Sequence, residues 1–88
     1  MSLVETSAIS VRLRPGEVRL HPLQSGTRVQ VLCGHLHLVE PSQWIGGHAI
    51  PQEARLSGGS GHTVRRTGWV QLRADGPTEV HCTLSRSH

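Results

Sequence analysis

Residues 28–40 read RVQVLCGHLHLVE, a proline-free run with a single internal glycine, Gly34. Apolar and polar residues alternate on either side of that glycine, the period of a β-strand. In one unbroken strand, Val29, Val31, Cys33, His35, His37 and Val39 would share a face, and Leu32, Leu36 and Leu38 would take the other. Both faces would then be half apolar. A bulge at Gly34 resolves this, because it brings Val29, Val31, Leu36 and Leu38 inward together and turns His35 and His37 outward. The alternative is that both faces are covered, one by the core and one by a second subunit. The bulge is the favoured of the two.

The alternation extends outward from this stretch. Ile9, Val11 and Leu13 alternate with Ser10, Arg12 and Arg14, and after Pro15-Gly16 the pattern resumes at Val18 and Leu20. Taken as a two-residue loop, Pro15-Gly16 predicts a hairpin with Leu13 opposite Val18, Val11 opposite Leu20, and Arg14 opposite Glu17. Turns are expected at QSGT (24–27), SGGSG (57–61) and DGP (75–77). Pro41 to Gln43 should break the long strand, and WIGGHAIPQEARL (44–56) reads as short and irregular. HTVRR, WVQLRA and TEVHCTLS supply further strands. No helical period runs for a useful length. The expected fold is all-β, a sandwich or small barrel, with one domain over 1–88 and an ordered core of about 8–85.

A chain of 88 residues is one domain with a small core. Its formal charge is +3, from nine arginines against six acids, with no lysine, asparagine, phenylalanine or tyrosine. Those four use AT-rich codons, so the composition points to a GC-rich, bacterial genome rather than to selection for arginine. Only Trp44 and Trp69 could stack on bases, and Arg65-Arg66 is the one adjacent basic pair, which argues against a nucleic-acid partner. The first ten residues carry no signal-peptide pattern, and no apolar run reaches a membrane span. Cys33 and Cys82 make no disulfide framework; both are expected as buried, reduced thiols in a cytoplasmic protein.

The order LRPGEVRL, SGTRVQVLCGHLHLVE, LSGGSGHTVRRTGWVQLRA resembles a small bacterial cupin-like family of half-cupin length, a domain of unknown function, over about residues 9–84. Leu13-Arg14-Pro15-Gly16-Glu17 matches its opening, Gly26 to Leu38 its middle, and Leu56 to Gly59 its late turn. The resemblance implies a small cupin-like barrel or jelly-roll-like β-roll with no assigned activity. His35 and His37 depart from the family, which often carries arginine and tryptophan there. In metal-binding cupins the His-x-His pair precedes the strand-opening glycine. With Gly34 in that role, the pair would fall near His21 and Leu23, the acid near Thr27 and the late histidine near Val70; only His21 fits.

The spacing of His35 and His37 does put both on one strand face about 7 Å apart. Glu40 has the opposite parity. A metal centre would need a third ligand such as His62, His81 or His48, and no spacing selects one. His35, His37 and His62 are thus the candidate ligands, with the expectation that none binds metal and that no cofactor is used. No paired carboxylates suggest acid–base chemistry, and the Gly/Ser turn at 57–61 lacks the lysine and helix of a phosphate loop. The two tryptophans are more often core or interface than ligand stackers. The expected function is a non-catalytic interaction or ligand-sensing module, its small-molecule ligand unspecified, that forms a homodimer. The alternative is a metal-dependent cupin-type enzyme using His35, His37 and a distant histidine.

Overall fold

The structure, a computed structural model, describes the backbone of residues 4–87 and, within it, the side chains of residues 7–41, 45–50 and 52–84. Eight strands run in order: β1 (Val4–Leu13), β2 (Val18–Leu23), β3 (Arg28–Cys33), β4 (His35–Ile45), β5 (His48–Ser57), β6 (Gly61–Thr63), β7 (Gly68–Ala74) and β8 (Thr78–Ser87). They form two four-stranded antiparallel sheets, β1-β8-β3-β6 (sheet A) and β2-β7-β4-β5 (sheet B). Two such sheets, with the strands alternating between them except for the β4–β5 hairpin within sheet B, make a jelly roll. The all-β, single-domain expectation holds, and strand pairing runs outside the expected core of 8–85, beginning at Val4↔Ser87.

The long run of 28–40 does not stay in one sheet. β3 belongs to sheet A and β4 to sheet B, with only Gly34 between them. Gly34 has φ +90°, a backbone conformation that glycine adopts without strain. Val29, Val31, Leu36 and Leu38 all point between the sheets and are fully or almost fully buried. The expected inward set is therefore correct, but the device is a corner between sheets rather than a bulge within one. The corner is fastened from β8: the Thr78 hydroxyl lies 3.0 Å from the carbonyl of His35 and 3.1 Å from that of Gly76. The Asp75 amide donates to the same His35 carbonyl at 3.0 Å.

Three local expectations are corrected. Pro15-Gly16 does not close a hairpin. β1 pairs with β8 and β2 with β7, so the turn hands the chain from sheet A to sheet B. Val11 and Leu13 are buried while Val18 and Leu20 lie on the outer face of sheet B. Arg14 and Glu17 do meet, through the Arg14 amide donating to the Glu17 carboxylate at 2.9 Å. Pro41 to Gln43 do not end the strand; β4 continues to Ile45 with a register shift between Glu40 and Gln43. The segment expected to be irregular forms a long hairpin with β5 about Gly46-Gly47, both at positive φ, as a type I′ turn requires. β7 pairs with β4 only over Leu36–Val39, so the β4–β5 hairpin extends past its neighbour as an arm.

Candidate functional site

Parity along β4 decides where each candidate goes. Leu36, Leu38 and Glu40 face the interior, whereas His37 and Val39 face out across sheet B. His35 is exposed. His62, on β6, stands opposite the buried Val29 and turns inward, where its Nε2 lies 2.8 Å from Oε2 of Glu40. The three candidate ligands are thus split between two sides of sheet B. Among the described residues no group of three or more metal-ligating side chains comes together. His81 contacts Ser10 through Nδ1 at 3.2 Å, and His48 is exposed beside the turn of the arm.

The Glu40–His62 pair is the arrangement that spacing could not reveal. Glu40 is 5% exposed. A carboxylate taken so far out of water must be compensated. Besides His62, it accepts the backbone N–H of Arg65 at 2.8 Å. Because an ionised carboxylate only accepts, Nε2 of His62 carries the hydrogen. Burial alone would push the Glu40 carboxyl up. The His62 bond and the amides of Arg65 and Arg66 outweigh it and hold the group below its ordinary value of 4.5. The pair straps β4 to β6, with the Arg65 amide adding the segment after it, and so links the two sheets on that side. A signal was present in the sequence: an acid at the inward parity of an apolar strand needs a partner from elsewhere in the chain.

A hollow of about 190 Å³ opens at one end of the sandwich, lined by Ser7, Ile9, Leu23, Gln24, Thr27 and Cys82 among others. It lies near the positions where the cupin pattern would seek ligands, yet its polar groups are hydroxyls and one amide. His21 turns inward from β2, its Nε2 out of solvent with no hydrogen-bond partner.

The cysteines separate. Cys82 is buried as expected, and burial pushes its thiol up to about 11. Cys33 is exposed, contrary to expectation, because the β3–β8 register shifts between Val31 and Cys33 and turns it out of the core. Alkylation of native protein should therefore modify one thiol per chain, at Cys33, and leave Cys82 untouched until denaturant is added. Labelling that persists in a Cys33→Ser variant without denaturant would contradict this placement.

The outer faces of the two sheets differ. On sheet A, Ser10, Arg12, Gln30, Glu79, His81 and Thr83 project outward, and Leu32 is 54% exposed beside them. On sheet B, Trp69 is 63% exposed, Leu20 59% and Val18 50%. Ile45 and Ile50 on the arm are also exposed. The side chain of Trp44 lies outside the described residues.

No protein-family profile matches the chain, and no curated protein does. Among solved structures, the fold is similar to a Drosophila melanogaster structure described as CENP-C bound to CAL1. The two share 13% identity with a TM-score of 0.67, over 90% of this chain and 60% of that one. The likeness is one of fold, and this chain spans 60% of that chain's length.

Proposed function

We propose that this chain is a non-catalytic interaction module that self-associates as a homodimer through the outer face of sheet B and the adjoining β4–β5 arm. The observation that carries this is the exposed apolar group Trp69, Leu20 and Val18, set against an outer face of sheet A on which Leu32 stands singly among polar residues. Large side chains clustered on one face are where a partner shields apolar surface. In a two-fold dimer such a patch meets itself. Docking through the face fits the strand edges too. Sheet B ends in β2 and β5, which carry Pro22 and Pro51, and proline discourages the addition of a further strand.

The neighbour of like fold is described as bound to another protein, which supports a docking role for this scaffold. The jelly-roll strand order and the LRPGE opening support membership of the cupin-like family. Two free thiols, one of them exposed, fit a reducing cytoplasm, and no helix is long and apolar enough to cross a membrane. The metal-enzyme alternative loses support, since His62 is turned away from His35 and His37.

Light scattering on the purified chain should return twice the mass of the 9.6 kDa monomer. Trp69→Arg and Leu20→Arg should each shift it to monomer with the β-sheet circular dichroism unchanged. A parent chain that is monomeric at micromolar concentrations would overturn the reading.

A further inference from the structure

His37 has an arginine directly across each neighbouring strand, Arg55 on β5 and Arg73 on β7. Adjacent strands lie about 4.8 Å apart, so three basic side chains form one row across the outer face of sheet B. Like charges placed opposite one another weaken a sheet, and the row has little internal relief. Among the described residues, neither Arg55 nor Arg73 has an ion pair. Nε2 of His37 is out of solvent without a hydrogen-bond partner, and Oε2 of Glu53 is 3.8 Å from it, too far to bond. A hollow of about 170 Å³ is lined by these three residues and Asp75. It adjoins a second of about 330 Å³ that shares His37, Arg55 and Asp75 and reaches His35 and Ser57.

We propose that the row Arg55–His37–Arg73 is an oxyanion site that takes a phosphate group, free or as the monoester of a small molecule. Two guanidinium forks flank the hollow, and each presents paired N–H donors matched to phosphate oxygens. The imidazole between them supplies a third donor from its unpartnered nitrogen. Two acids border the row. Glu53 stands beside His37, and Asp75 lines both hollows and opposes any anion that enters. The balance favours a doubly charged phosphate over a carboxylate and sets a modest affinity, with Kd on the order of a millimolar. The row lies on the same outer face as the apolar patch and meets it where Val18 pairs with Arg73, but it rests on its own residues, and phosphate binding and oligomeric mass are read separately.

Phosphorus NMR titration of the full chain with inorganic phosphate and with phosphoserine tests this. Saturable binding is expected for at least one; tighter phosphoserine binding identifies the ester as ligand, and equal or weaker binding identifies the free anion. The double variant Arg55→Gln/Arg73→Gln should weaken binding roughly tenfold or more. Asp75→Asn should tighten it several-fold, which a merely structural role for the row would not produce. Arg12→Gln, on the other sheet, should leave it unchanged. Absence of saturation by about ten millimolar, a double variant that binds like the parent, or an equal loss in Arg12→Gln would overturn the proposal.

Discussion

Replacing Gly34 by alanine is expected to destabilise the chain by about 3–5 kcal/mol, combining left-handed backbone strain with a steric clash that cannot relax. A methyl at Gly34 would sit 2.6 Å from the Thr78 hydroxyl and 2.8 Å from the Thr78 Cα, and it would also overlap the Pro77 carbonyl. Two of these neighbours are backbone, one at the start of the strand whose threonine fastens the corner and one in the residue before it. Gly16 is the natural control: it too has positive φ, at +77°, but nothing lies within 4 Å of its would-be methyl. Gly16→Ala should cost only about 1 kcal/mol, the conformational part alone. For a domain whose total stability is on the order of 5–15 kcal/mol, the first change brings much of the population close to unfolding. Urea denaturation of the two variants decides; equal midpoints would show that the corner is not sterically closed.

Glu40→Ala carries the second large effect, a loss of about 2–4 kcal/mol. The methyl side chain leaves the Arg65 amide and the His62 Nε2–H without acceptors and opens a gap beside the core. Glu40→Gln keeps an acceptor for the amide and should lose about half as much. The pH dependence follows from the lowered value of Glu40. A carboxyl bound less readily by protons when folded contributes stability that is complete above its unfolded value near 4.5. That contribution drains away as pH falls through the lower folded value. The parent should therefore weaken steeply in acid, and Glu40→Gln should show a shallower acid limb. Parallel acid limbs in the two proteins would rule out ionised Glu40 as a stabilising group.

Much of this architecture can be seen in the residues themselves, and its failures have a common cause. The alternation about Gly34 identified four core residues because an inconsistent parity demands a change of face, whatever device makes it. The same logic failed at Pro15-Gly16, where a hairpin and a corner between sheets satisfy one local pattern equally well. Only the pairing of β1 with a strand some seventy residues on distinguishes them, and no local signal encodes it. Cys33 shows a smaller version: a one-residue shift against β8 exposes a side chain that alternation alone would bury. The Glu40–His62 contact spans 22 residues, so its acid was legible as an anomaly and its histidine was not. The basic row is likewise invisible in sequence, because Arg55, His37 and Arg73 meet only through the pairing of three strands.

The strand pairs of this fold are nested like brackets. β4 closes on β5 across a two-glycine turn, β3 on β6 outside it, β2 on β7 outside that, and β1 on β8 last. The chain is thus a single long hairpin rolled up on itself, and each outer pair must close a longer loop than the one within. Loop closure grows costlier outward while the inner pairs shorten the effective distance, so assembly has a natural direction, from Gly46-Gly47 toward the two ends. Domains dominated by such distant pairings fold on the order of milliseconds to seconds. Until β8 has been synthesised and has settled between β1 and β3, β1 has no partner and sheet A is reduced to the β3–β6 pair, so much of the apolar inner face of sheet B stays uncovered.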